Sequence, residues 1–171
     1  MLSDKLKQDI LRLQEQYPEK RSALIPALHL AQAEVGSLPD AVQREVAELF
    51  NIATTEVYAV VSFYDMFSEY PQGKHILHVC KNLSCMLRGS DQILEKLCHK
   101  LQVGPGGTTS DAEFTVIASE CLAACDRAPM WLVDDQVVGP VTEEHIDKIL
   151  DQAKNGPGHP SAMTGWEVGN G

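Results

Sequence analysis

Apolar residues along the first part of the chain recur every three or four positions, the spacing of one helix face. Leu6, Ile10, Leu11 and Leu13 do so between Ser3 and Tyr17, and Pro18 stops the run, which predicts a first helix. A second is predicted from a cap at Ser22 to Gly36, with Leu24, Ile25, Leu28, Ala31 and Val35 on one side. Pro26 falls in its first turn, where a missing N–H costs little, and Gly36 suits the left-handed C-terminal position. A third runs over 40–50 with Val42, Val46, Leu49 and Phe50 inward; a fourth, capped by Thr54 or Thr55, continues through Val57, Val60 and Val61. Short helices in such close succession describe a small all-helical bundle. The stretch SFYDMFSEYPQGK then gathers Phe63, Tyr64, Met66, Phe67 and Tyr70, and is read as a core-forming junction between modules in preference to a partner-facing aromatic patch.

At His75 the period changes. HILHVC alternates as a short strand with Cys80 at its end, and 92–101 returns to helical spacing with Ile93, Leu94, Leu97, Cys98 and Leu101 on one face. VGPGGTTSDAE is a connecting loop without the spacing of a phosphate-binding loop. FTVIAS predicts a second strand, MWLVDD a third, and DQVVGP a fourth after an Asp134-Asp135 turn. Thr142 to Ala153 reads as a closing helix, capped by Thr142, with Glu143 and Glu144 in its first turn and Ile146, Ile149 and Leu150 buried. That order fits an α+β chain whose second part is a small sheet with helices against it, of the thioredoxin-like type. The expected boundaries are a helical module over 1–73, a second domain over 74–154, and a flexible Gly/Pro-rich tail over 155–171. The tail offers Trp166 as an anchor on a partner surface.

Composition narrows the function classes. Of 171 residues, 44% are hydrophobic and 22% charged, as in soluble globular proteins. The net charge is −10, and residues 1–74 hold 7 Lys plus Arg against 11 Asp plus Glu, so the helical module is not expected to read DNA and no nucleic-acid partner is expected. The N-terminus lacks the uninterrupted apolar region of a secretory signal, and runs such as YAVVSFY fall far short of the roughly 20 residues of a membrane-crossing helix. Any membrane association is therefore expected to run through partners. Five cysteines without an export signal point to a reducing compartment, where thiols are available as ligands.

Four of those five stand in two tight pairs, VCKNLSC and SECLAACDRAP. Four residues separate Cys80 from Cys85, three separate Cys121 from Cys125, and 35 lie between the pairs, so two short loops must converge on one centre. Disulfides across such small loops would constrain little and suit the compartment poorly. Structural zinc accepts pairs at this spacing, although a domain with its own core hardly needs it. A two-iron, two-sulfur cluster takes two cysteines per iron, so two pairs supply it naturally, and the spacing favours it. His75 and His78 raise the variant in which two histidines replace two cysteines, but strand histidines in ordinary hydrogen bonds are the preferred reading. Cys98, on an apolar helix face, reads as a small buried hydrophobe. Glu120 and Asp126 oppose Lys81, Arg88 and Arg127 around the pairs. No nucleophile elbow, dinucleotide fingerprint or metalloprotease motif accompanies the thiols, so no catalytic residue is assigned. A one-electron centre of this kind needs a donor able to split an electron pair, and a flavin on another subunit answers that need.

YPEKRSALIPALHLAQ, SFYDMF followed by P-x-G-K, C-x4-C, TTSDAEFT and ECLAACDRAP together closely resemble the small thioredoxin-like [2Fe-2S] subunit of NADH-quinone oxidoreductase, or respiratory complex I, over residues 17–150. The resemblance implies a small helical bundle followed by a thioredoxin-like [2Fe-2S] ferredoxin domain, with Cys80, Cys85, Cys121 and Cys125 holding the cluster. It implies a flavoprotein partner that binds FMN and NADH, further iron–sulfur subunits beyond it, and a cytoplasmic place at the inner face of the membrane. Related subunits serve NAD-linked hydrogenases and formate dehydrogenases, which form the alternative assembly. Two departures are visible: Ala123 and Ala112 stand where glycines are usual, and both are expected to alter local backbone angles.

Overall fold

Ser3 opens the first helix as a cap: its hydroxyl accepts the Leu6 N–H at 3.2 Å and starts α1 (Asp4–Glu15). The same hydroxyl donates to Glu34 at 2.7 Å, tying this end to α2 (Leu24–Val35). The computed structural model describes residues 1–158 in two compact units, Met1–Pro71 and a second beginning at Gln72.

The first unit is completed by α3 (Asp40–Phe50) and α4 (Thr54–Phe63). Its core takes Leu6, Ile10 and Leu13 from α1, Leu24, Ala27, Leu28 and Ala31 from α2, Val42, Val46 and Phe50 from α3, and Val57 and Val61 from α4. These are the apolar stripes the sequence lays down. Buried glutamines join the pieces through main-chain groups: Gln32 donates to Met66 O and accepts from Ser68 N, and Gln14 donates to Leu49 O. Gly36 closes α2 at φ 85°, as expected.

Two predicted caps differ. Ser22 lies inside a 3-10 turn, Lys20–Ala23, and α2 starts after it with no side-chain cap. Thr54 is already helical; Ala53 is the cap position, and Glu56 reaches back to its N–H at 3.4 Å. The aromatic junction differs more. Phe67 is buried and Tyr64 packs partly on the core, but Phe63 and Tyr70 are 76% and 75% exposed and Met66 is also exposed, so most of that segment does not form core. Past Phe63 the chain leaves the helix for a turn, closed by Phe67 N–H to Tyr64 O, that carries Phe67 inward and leaves Met66 and Tyr70 outside.

His29 sits buried against Phe67, with ring centroids 4.8 Å apart. Burial holds its imidazole below the ordinary value of 6.5. Below that pH the unfolded chain protonates first, so stability is complete above pH 6.5 and falls as pH drops below it. Urea midpoints followed by circular dichroism should show this slope in the native chain and a flatter one in His29→Gln. Parallel slopes would contradict it.

In the second unit β1 (His75–Cys80) is central. It pairs in parallel with β2 (Phe114–Ser119) and antiparallel with β3 (Trp131–Val133), which forms a hairpin with β4 (Gln136–Val138), giving the order β2-β1-β3-β4. Two helices, α5 (Leu83–Leu87) and α6 (Ser90–Leu101), make the crossover between the parallel strands, and α7 (Ile146–Lys154) follows the hairpin. Leu77, Val79, Phe114, Val116 and Trp131 meet Ile93, Leu97, Ile146, Ile149 and Leu150 in the core. This is the expected α+β, thioredoxin-like arrangement. The loop around Gly106 bonds along the outer edge of β2, through Gly106 N to Val116 O and Val116 N to Gly107 O, and so covers an edge that would otherwise be open.

Differences are local. α5 was not expected, and α6 starts at Ser90, two residues before the apolar spacing shows it. Thr142 makes no cap; Glu143–His145 is a 3-10 turn and α7 begins at Ile146. The expected tail 155–171, with Trp166, lies outside the described residues from 159 onward. No helix among the described residues is long and apolar enough to cross a membrane.

Candidate metal centre

The two cysteine loops leave the same end of two adjacent parallel strands. Cys80 stands opposite Ser119 in the β1–β2 register, and Lys81 N donates to Ser119 O at 3.0 Å just beyond. Parallel pairing aligns strand ends, so the C-terminal loops of β1 and β2 must emerge side by side. From there the first loop runs into α5, whose Asn82 cap accepts from Leu83 N, and the second runs through Cys121 to a 3-10 turn, Cys125–Arg127.

Cys80 and Cys85 are buried in a small apolar cluster with Ala128 and Met130, against which Leu122 and Ala124 pack. Cys121 and Cys125 are exposed. The Cys80 thiol donates to the Glu120 carbonyl at 3.2 Å, crossing from one loop to the other. Burial pushes the Cys85 thiol up from its ordinary value. Met130 N–H, donating to it, pulls the other way, and the neighbouring Cys80 and Cys125 raise it further. Three of the four expected ligands are therefore grouped around Cys85. Among the described residues no group of three or more His, Cys, Asp or Glu side chains is placed to hold a single metal ion.

The donor set suits iron and sulfide: four thiols in two pairs, two already desolvated, whose mutual ionisation needs a cation between them. The histidines take the preferred alternative. His75 is fully buried at the far end of β1, with Nδ1 2.9 Å from Asp134 Oδ2, and His78 Nδ1 lies 2.9 Å from Ser119 Oγ. Cys98 packs against the core of the second unit, its thiol pushed up by burial, as a small hydrophobe does. Around the thiols Lys81 pairs with Glu120 at 3.4 Å and Arg127 with Asp126 at 3.8 Å; Arg88 has no ion pair among the described residues. Sequence reasoning missed Met130 and Gly139. Gly139 lets the end of β4 approach the Cys125–Arg127 turn so closely that a Cβ there would collide with the Arg127 carbonyl oxygen. It also missed the outward face of α5, although LSCML already shows three large apolar residues around one buried cysteine.

Ala123 and Ala112 adopt φ of 58° and 55°, the left-handed region that glycine tolerates and alanine enters at a cost of about 1–2 kcal/mol. Offset by the greater freedom of glycine in the unfolded chain, Ala123→Gly should raise stability by up to ~1 kcal/mol. A urea midpoint below that of the native chain would contradict it.

A family model for thioredoxin-like [2Fe-2S] ferredoxins matches residues 10–154. A subunit of NADH-quinone oxidoreductase from Rhizobium meliloti (strain 1021) is 38% identical over 146 residues, covering 85% of this chain and 87% of its own. The HndA subunit of NADP-reducing hydrogenase from Solidesulfovibrio fructosivorans is 33% identical over 150 residues, covering 88% of each. In solved structures, NAD+-reducing [NiFe]-hydrogenase in the air-oxidized state superposes on 78% of this chain with a TM-score of 0.65 at 24% identity; this chain spans 23% of that one, and the likeness speaks for the fold. With residues 10–154 matched and the sheet order and paired loops in place, the chain belongs to the thioredoxin-like [2Fe-2S] ferredoxin family.

Proposed function

We propose that the chain is the electron-transfer subunit of an NADH-oxidising module, of the kind found in NADH-quinone oxidoreductase. In this reading Cys80, Cys85, Cys121 and Cys125 hold one [2Fe-2S] cluster within residues 74–154, which follow the helical module 1–73 in sequence. The partner is a flavoprotein that binds FMN and NADH, and the assembly lies at the cytoplasmic face of the membrane. The observation that supports the reading is the parallel β1–β2 register, from whose common end the two cysteine-bearing loops leave. The 38% identity to a subunit of NADH-quinone oxidoreductase supports the choice of complex.

When bound, such a cluster accepts and returns one electron at a time. The chain's own residues prepare the place. Ala128 and Met130, with Leu122, keep water from Cys80 and Cys85, and the Met130 N–H offers the Cys85 sulfur a hydrogen bond that favours its ionised form. The Lys81–Glu120 and Arg127–Asp126 pairs balance charge at the rim, leaving Arg88 as a local cation. The sequence carries no dinucleotide-binding fingerprint, and in this reading the two-electron step belongs to the partner.

Protein purified anaerobically should hold about two irons and two sulfides per chain, with a rhombic low-temperature EPR signal only after dithionite. A zinc-loaded, colourless protein that resists reconstitution would overturn the reading. The 33% identity to a hydrogenase subunit favours a second assembly, the diaphorase part of a soluble hydrogenase. Co-purification separates them: membrane subunits support the first, a soluble nickel-, iron- or molybdenum-containing partner the alternative.

A further inference from the structure

The segment that leaves α4 is a rigid platform. Its main chain is pinned to the first unit: Gln32 donates to Met66 O at 2.9 Å and accepts from Ser68 N at 2.8 Å, and Leu38 N donates to Ser68 O at 2.7 Å. An aromatic row roots it in the core, with the ring centroids of Phe63 and Tyr64 5.0 Å apart and those of Tyr64 and buried Phe67 6.3 Å apart. From that base Phe63, Met66 and Tyr70 stand exposed. Apolar side chains on a fixed backbone lose little further freedom when they are covered, as in a docking site.

We infer that Trp166, in the tail of the same chain, docks on Phe63, Met66 and Tyr70. The place where the described chain ends makes the contact reachable. Gly158, the last described residue, lies against Lys74: a Cβ there would stand 2.9 Å from the Lys74 carbonyl oxygen. Lys74 is four residues from Tyr70 and eight from Met66, so at most about 14 and 29 Å of chain separate them. The eight residues from Gly158 to Trp166 extend over about 29 Å, enough to cover both. Residues 159–171 hold one acid, Glu167, and no Lys or Arg, so seating the indole desolvates little charge. Its N–H can only donate, and Asp65, exposed between the apolar side chains, offers an acceptor. A second copy fits poorly: an isologous contact would bring together Asp65 and Glu69 of both copies, and residues 62–71 contain no Lys or Arg to offset them. A short tether gives millimolar effective concentration, so even a contact of about 0.3 mM is closed in about three chains out of four.

Brief hydroxyl-radical labelling of the full-length chain, read by peptide mass spectrometry, tests this. Met66 and Met86 are almost equally exposed, at 46% and 44%, and Met86 on α5 serves as the internal control. Trp166→Gly should raise the labelling of Met66 and Tyr70 about threefold, as expected when a contact closed most of the time is removed, and leave Met86 unchanged. Phe63→Asp should in turn raise the labelling of Trp166. Equal labelling of Met66 and Tyr70 in the native and Trp166→Gly chains overturns the inference. Protection that fades on dilution through the micromolar range assigns the contact to the tail of a second copy. Protection that arises only on adding a purified FMN-binding subunit assigns Trp166 to a partner surface. Either of these overturns it as well.

Discussion

Cys85→Ala is expected to yield a folded protein that holds almost no iron, from about two per chain in the native form. The reason lies in its place. Cys85 is buried like Cys80, feels the charges of Cys80 and Cys125, and its sulfur receives the Met130 N–H. No neighbouring thiol can stand in for it, because Cys98 packs in the core of the second unit, away from the apolar cluster of Cys80, Cys85, Ala128 and Met130. Cys98→Ala should accordingly keep its iron, and the pair of variants separates ligand loss from general damage. Truncating one sulfur from a small cluster of residues costs about 1–3 kcal/mol of packing, within what a domain tolerates, so circular dichroism should remain native. Metal analysis and EPR on anaerobically prepared protein read the result, and a Cys85→Ala variant with full iron and an unaltered signal would remove it from the ligand set.

The second large effect is on stability. Trp131 is fully buried in β3, opposite Val79 of the central strand, at the middle of the core formed by β1, β2, α6 and α7. Trp131→Ala should cost about 3–5 kcal/mol, from lost burial and the cavity left behind. Set against the roughly 5–15 kcal/mol that holds a typical domain together, this unfolds much of the population. Trp131→Phe should cost far less, because the indole N–H has no hydrogen-bond partner among the described residues and its removal takes away a buried donor unsatisfied there. Urea unfolding followed by circular dichroism compares the two; equal losses would show that the indole N–H is satisfied by something the packing does not reveal.

Much of this was legible in the chain. The helical period of Leu6, Ile10 and Leu13 and the alternation of HILHVC depend on burial, which imprints directly on residue type, and those elements formed where expected. Caps were less legible. Ser22 and Thr142 have the right chemistry, but Ser22 sits inside a 3-10 turn and Thr142 just ahead of one, where the first N–H groups are already engaged. α5 was invisible because its apolar residues face outward, against the rule that makes helices readable. At the centre, cysteine spacing required two loops to converge but said nothing of which thiols would be buried. That difference comes from the strands: Cys80 ends the central strand and Cys85 packs beneath it, whereas Cys121 and Cys125 follow the edge strand β2. The alanines at 112 and 123 illustrate the reverse case, since departures noticed in sequence correspond to left-handed backbone in the structure.

The β1–β2 pairing also sets an order of events during synthesis. Helices α1 to α4 meet through contacts between neighbours in sequence, which form quickly. The parallel pair cannot close until the whole α5–α6 crossover and β2 have been made, and such non-local pairing is slow. Until then, on the proposed ligand set, each cysteine pair offers two sulfurs only. On that reading topology times maturation, because the two cysteine loops come together only after the sheet has zipped.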